Sequence, residues 1–92
     1  MRRLLWSRRA RTELFSIAEH YRKDDPALAI EMLERIEAGP QALREFPFLG
    51  AVTTAGARKW RARGTPFLLF YDVQDDAIEI VGVRHVRSDW PR

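Results

Sequence analysis

Ninety-two residues, 46% hydrophobic and 32% charged with no cysteine, suffice for one core and are too few for two. Lack of cysteine excludes a disulfide scaffold, a thiolate nucleophile and a cysteine-ligated zinc site, and fits a reducing compartment. The formal charge is +3, from 16 Lys and Arg against 13 Asp and Glu, with an isoelectric point near 9.9. An excess this moderate is informative only where it is concentrated.

The chain opens on Met1-Arg2-Arg3, but only Leu4-Leu5-Trp6 follows before charge resumes. A secretory signal needs an apolar run of about 7–15 residues and a membrane span about 20. Phe67 to Tyr71 is also too short for either. A cytoplasmic chain without membrane association is expected, with residues 1–92 forming one domain.

Arg3 to Trp6 reads as a first strand. Ser7 is suited to cap a helix, because its hydroxyl can accept from a free N–H in the next turn. Ala10, Leu14, Ile17, Ala18 and Tyr21 form one apolar stripe at helical spacing, with fraying expected around Arg22–Asp24. Asp25-Pro26 restarts a helix: aspartate caps it, and proline at the first position gives up an N–H that has no partner there. Ala29, Met32, Leu33, Ile36 and Leu43 share a face, so a second helix is predicted from Pro26 towards Phe46. Gly39-Pro40 should kink or break it, since an interior proline costs about 3 kcal/mol. A final turn should end before Pro47.

Phe48-Leu49-Gly50 begins a predicted loop through Thr53, Thr54 and Gly56. Beyond it the period becomes extended. Arg58 to Arg63 can alternate as a strand, Gly64-Thr65-Pro66 turns, and Phe67 to Val73 is strongly β-prone. Gln74-Asp75-Asp76 is a hairpin turn, and Ala77 to Val86 is the last strand, with Ile78 and Ile80 on one side and Glu79 on the other. The predicted fold is α+β: a two-helix hairpin on one face of a small, mainly antiparallel sheet, in the order β-α-α-β-β-β.

Chemistry-bearing residues cluster in two places. Strand alternation puts Lys59, Arg61 and Arg63 on one face and Arg58, Trp60 and Ala62 on the other. Three cations spaced about 6.5–7 Å apart call for phosphates or carboxylates opposite them; a charged edge that resists aggregation is the plainer alternative. The second cluster is Arg84, His85, Arg87, Asp89 and Trp90. Histidine can move protons near neutral pH and arginine can stabilise a phosphoryl group, although a lone histidine at a strand end is more often structural. Trp90 suits packing or partner contact. Glu31, Glu34 and Glu37 read as a solvated helix face. The glycines match no nucleotide-binding fingerprint, no His/carboxylate spacing marks a metal site, and no cofactor is expected.

Taken in order, several short words resemble the RelE/ParE toxin superfamily, which includes plasmid stabilisation proteins. They are Leu5-Trp6-Ser7-Arg8-Arg9-Ala10; Glu13-Leu14 with Ile17 and Tyr21; Asp25-Pro26 with Ala29 and Ile36; Phe46-Pro47 with Leu49-Gly50; Arg58; Gly64-Thr65-Pro66-Phe67; Tyr71; and Ile78-Glu79-Ile80 with Val83, His85 and Trp90-Pro91. The likeness spans nearly the whole chain. It implies the toxin of a type II toxin–antitoxin pair, neutralised by a ParD-like or similar DNA-binding antitoxin. Such an antitoxin has a flexible C-terminal tail that folds onto the toxin, and it links the pair to operator DNA.

The superfamily offers two targets. RelE-like members cut messenger RNA on the ribosome with a cluster of lysines and arginines and a C-terminal tyrosine or similar group; ParE-like members inhibit DNA gyrase. Lys59 and Arg61 match the RelE-type basic pair. The arginine expected about three residues before Tyr71 is replaced by Leu68, the last-strand arginine falls at about His85, and no tyrosine follows. The likeness is therefore more ParE-like, and an inhibitor acting by binding is the leading reading. The expected surface for antitoxin or target is Arg58, Lys59, Trp60, Arg61, Arg63, Arg84, His85, Arg87 and Trp90. A ribosome-dependent endoribonuclease would instead use Lys59, Arg61, His85 and Arg87. A non-toxic nucleic-acid-binding module is the third reading.

Overall fold

The computed structural model describes residues 1–87. Its elements are β1 (Arg3–Trp6), α1 (Arg8–Arg22), α2 (Pro26–Ala38), a 3-10 segment (Gly39–Arg44), β2 (Ala51–Val52), β3 (Arg58–Arg61), β4 (Phe67–Val73) and β5 (Ala77–His85). The five strands form one sheet in the order β1-β5-β4-β3-β2. Only β1 against β5 is parallel, with Arg3 opposite Ala77 and Trp6 opposite Ile80; the other pairings are antiparallel. The α+β hairpin-on-sheet architecture is as expected.

Both helix starts follow from their caps. Ser7 Oγ accepts from the Ala10 N–H at 3.0 Å and an Asp25 carboxylate oxygen from the Leu28 N–H at 3.1 Å. The second helix breaks at Gly39-Pro40, where the interruption was expected. Its α-helical hydrogen bonding stops at Ala38, and the chain tightens into the 3-10 segment through Gly39-Pro40, where proline has no N–H to give. Pro40 and Leu43 are still buried, so the apolar face persists although the helix type changes.

The predicted loop after Pro47 contains an extra strand. Ala51 and Val52 pair with Lys59 and Arg58. Two residues are too few to show a period in sequence. The third strand stops at Arg61, leaving Arg63 in the turn, and the last stops at His85 rather than Val86.

The core lies between the helices and one sheet face. Ile17, Ile36 and Leu43 meet Phe67, Leu69, Tyr71, Ile78, Ile80 and Val83 there, each side chain adding about 1.5–3 kcal/mol by burial. One irregularity governs which residues reach it. Phe70 is opposite Gly82 but Tyr71 is opposite Ile80, so Val81 is an extra residue in β5, a β-bulge. Without it, Gly82 and Arg84 would fall on the same face as Ile78 and Ile80. With it, Val83 and His85 turn inward and Gly82 and Arg84 outward. No helix among the described residues is long and apolar enough to cross a membrane.

The buried Tyr71 hydroxyl fixes the segment that returns from the helices to the sheet. It donates to the Pro47 carbonyl and accepts from the Gly50 N–H, both at 2.8 Å. Gly50 is required there, because a Cβ would lie 2.6 Å from both the Tyr71 hydroxyl and the Lys59 carbonyl. Tyr71→Phe leaves the Gly50 N–H unsatisfied and should lower unfolding free energy in urea by about 2 kcal/mol; Gly50→Ala should lower it by about 3 kcal/mol through overpacking. Burial raises the Tyr71 pKa above its ordinary 10.0, outweighing the lowering by the Gly50 N–H and Arg58. The folded state thus keeps a proton that the unfolded chain loses. Its stabilisation is complete below pH 10 and is lost as pH rises through the folded pKa. Tyr71→Phe should flatten the alkaline limb of a stability–pH curve, leaving the part due to Tyr21, whose pKa burial also raises.

Candidate functional site

Residues directly opposed in an antiparallel ladder share a face. Arg61, Leu68 and Arg84 form one such row across β3, β4 and β5, and Lys59, Phe70 and Gly82 form the next. All six lie on the face opposite the buried Leu69, Tyr71 and Val83. Leu68, Phe70 and Gly82 make a half-buried floor, while Lys59, Arg61 and Arg84 are exposed. The Arg84 guanidinium lies over the Phe70 ring, 5.6 Å from its centroid. Such a contact fixes the cation's position for about 0.5–1 kcal/mol at an exposed site.

The floor has walls. The start of α1, through Arg9 and Glu13, and the turn joining β2 to β3, through Thr53 and Thr54, enclose a cavity of about 300 Å³ above Phe70 and Gly82. Glu13 belongs here because β1 runs out before β5 does. Parallel pairing reaches only Ile80, and the Val83 N–H beyond it is taken by Glu13 Oε1 at 2.9 Å. The other carboxylate oxygen stands 3.6 Å from Arg9 Nε. A second, more open cavity of about 630 Å³ surrounds the β3–β4 turn, beside Trp60, Arg61, Arg63 and Pro66.

The ion pairs of the described residues lie elsewhere: Arg3–Asp76, Arg9–Glu13, Arg22–Glu19 and Arg35–Glu31. Among those residues, Lys59, Arg61 and Arg84 have no carboxylate within ion-pair distance, though Arg61 Nε donates to the Thr65 carbonyl at 2.9 Å. Their charge is available to phosphates or carboxylates from outside. The described residues hold no group of three His, Asp or Glu able to bind a metal.

A wider likeness accompanies this geometry. The family model for the ParE toxin of type II toxin–antitoxin systems, parDE, matches residues 4–90. The chain belongs to the ParE toxin family. It is 30% identical over 92 residues to the Sinorhizobium fredii protein designated "Putative toxin Y4kP", across 99% of this chain and 95% of that one. It also superimposes, with a TM-score of 0.80 and 25% identity, on a chain from the chromosomal ParDE toxin–antitoxin system of P. aeruginosa, covering 92% of this chain and 96% of the other.

This ParE-family chain separates the surface residues expected from sequence. Lys59, Arg61 and Arg84 share the bare face. Arg63 sits in the β3–β4 turn rather than continuing their row. Arg58 is half-buried: its Nη1 donates to the Gly50 carbonyl at 2.7 Å and its guanidinium covers Phe48 at 4.9 Å. Trp60 faces the core side, close enough to Gly39 that a Cβ there would be 3.4 Å from the indole. His85 meets Phe67 edge-on at 5.2 Å, and its Nδ1 accepts from the Arg87 N–H at 3.0 Å. It therefore lies across the sheet from Lys59 and Arg61, and Arg84 holds the last-strand position on their face. Trp90 lies outside the described residues.

Sequence reasoning missed Glu13, Phe70 and Gly82. Phe70 could have been placed by strand alternation from the core residues Leu69 and Tyr71. Glu13 had a fainter signal, a carboxylate bordering an apolar helical stripe. Glu13→Ala should free the Val83 N–H, raise its amide exchange rate selectively, and lower stability by about 1–2 kcal/mol; unchanged exchange at Val83 would remove Glu13 from this role.

Proposed function

We propose that this chain is the growth-inhibiting member of a toxin–antitoxin pair, acting by binding, with DNA gyrase as its target. It would work in the cytoplasm as one domain of residues 1–92, reaching operator DNA through its antitoxin. The carrying observation is the bare face itself, where Lys59, Arg61 and Arg84 stand around an apolar floor of Leu68 and Phe70. Such a surface suits acidic and apolar groups of a protein partner. Leu68 occupies the middle of the cationic row, where ribonucleolytic members are expected to carry an arginine, and His85 is turned towards Phe67. Gyrase is the target that the ParE-like resemblance implies.

The second reading, a ribosome-dependent endoribonuclease, draws on Arg84, which places a third cation beside Lys59 and Arg61. Expression without the antitoxin should arrest growth and induce the SOS response with transcripts intact, and purified protein should inhibit gyrase supercoiling. Arg84→Glu should weaken that inhibition by about tenfold or more through charge reversal while the thermal melt stays unchanged. Codon-positioned cuts in mRNA with gyrase unaffected would favour the second reading, and harmless expression would count against both.

A further inference from the structure

The cavity above Phe70 owes its depth to a glycine that the fold does not require. Backbone conformation does not call for Gly82: the positive-φ glycines of the described residues are Gly56 and Gly64. Packing does not call for it either. A Cβ on Gly82 would stand 3.5 Å from Glu13 Oε1 and 3.9 Å from Phe70, ordinary van der Waals distances, whereas at Gly50 the same atom would be 2.6 Å from its neighbours. The bulge beside it is carried by Val81. A glycine inside a strand weakens that strand and often marks a place where another group approaches closely. Space is what Gly82 contributes.

That space is lined differently within and at its margin. Thr53, Ala55, Ala57, Phe70 and Val81 surround it with Gly82, and the Thr53 hydroxyl is committed to the Ala57 carbonyl at 2.7 Å. Apolar walls of this kind offer little to the polar edge of a nucleobase. Glu13 stands in the wall as well, one oxygen on the Val83 N–H and the other 3.6 Å from Arg9 Nε. A phosphate inside would meet this carboxylate, which like charge opposes; an uncharged apolar group meets no such penalty. Arg9 and Arg84 also line the cavity, Lys59 shares the row of Phe70 and Gly82, and Arg61 shares that of Arg84.

Volume limits the occupant further. The cavity's 300 Å³ lies at the lower end of ligand pockets, roughly 300–1,000 Å³, enough for one large side chain and too little for a strand or helix. An aromatic ring suits it best, because Phe70 offers a ring contact from the floor and the Arg9 and Arg84 guanidiniums offer cation–π contacts from the walls. Aromatic anchors seated in pockets and ringed by charged contacts are how protein interfaces concentrate affinity. Two copies of this chain joined through the bare face would set Lys59, Arg61 and Arg84 against their counterparts, which repulsion opposes.

We propose that this cavity is the toxin's anchor pocket for its target: it takes one aromatic side chain from the surface of gyrase, while acidic residues beside that side chain meet Lys59, Arg61 and Arg84. Affinity resides in the buried ring, and orientation in the charges around it. The inference rests on the gyrase reading and adds where the target is gripped and by which chemistry.

The test uses the full chain with intact gyrase, measuring binding and inhibition of supercoiling, and with the antitoxin encoded beside its gene. Gly82→Leu fills the cavity from its floor, and Thr54→Trp crowds it from the exposed β2–β3 turn. Each should weaken gyrase binding and inhibition by about tenfold or more. The melting temperature should stay unchanged or, for Gly82→Leu, rise through better strand propensity. A structural role for Gly82 would instead lower it, and Thr54→Trp then decides alone. Folded variants that inhibit gyrase as strongly as the unaltered chain overturn the anchor pocket and leave the gyrase reading standing. Retained gyrase inhibition with antitoxin affinity lost assigns the cavity to the antitoxin and also overturns the inference. A dimer of the free chain that both variants dissolve overturns it in favour of a second copy. An unaltered chain that neither binds nor inhibits gyrase overturns the gyrase reading and this inference with it.

Discussion

Val81 is the residue that β5 carries in excess of β4, and its insertion decides the character of both sheet faces. Before it, Ile78 and Ile80 point into the core; after it, Val83 takes the inward direction and Arg84 the outward one. A strand that alternated without interruption would bury an arginine beneath the helices, where a charge without a partner is strongly disfavoured. The bulge removes that conflict and places Arg84 in the row with Arg61 and Leu68. Core and cationic face thus have one common cause.

The consequences continue along β5. The bulge lies where β1 ends, so the outer part of the strand has lost its parallel neighbour, and the Glu13 carboxylate serves the Val83 N–H instead. At the other side of the domain, Arg35 performs a similar service. It pairs with Glu31 at 2.6 Å and donates to the Gly64 carbonyl at 2.9 Å, tying α2 to the β3–β4 turn. Glu13 thus joins α1 to the sheet directly and Glu31 pairs with the arginine that joins α2 to the β3–β4 turn, while the cations of the bare face keep their charge outward.

The parts of this structure written in local chemistry were legible in sequence. Ser7 and Asp25-Pro26 gave the helix starts through their caps, the apolar stripe gave the buried side of α1, and Phe67 to Val73 announced a strand by composition. What escaped depends on tertiary geometry. Val81-Gly82-Val83 looks like ordinary alternation, and nothing local says that it bulges. Ala51-Val52 is too short to have a period. Arg58 and Trp60 carry the residue types of a binding site, yet one covers Phe48 and holds Gly50 while the other packs on Gly39. Lys59 and Arg61 were placed correctly because strand alternation suffices for them. Their partner Arg84, rather than the neighbouring His85, required knowledge of the bulge.

The parallel pairing of β1 with β5 joins segments separated by most of the chain, Arg3 facing Ala77. Closing so long a loop costs entropy before any contact offsets it, and such non-local pairings slow folding. During synthesis β1 must wait without its partner until the final strand has emerged from the ribosome, and the Ser7 N–H, bonded to the Ile80 carbonyl at 2.9 Å in the finished sheet, must wait with it. Arg84 joins Lys59 and Arg61 only at that same late moment. A nascent chain that has not yet exposed β5 therefore lacks the assembled cationic face, and anything that face binds must wait until β5 has paired with β4.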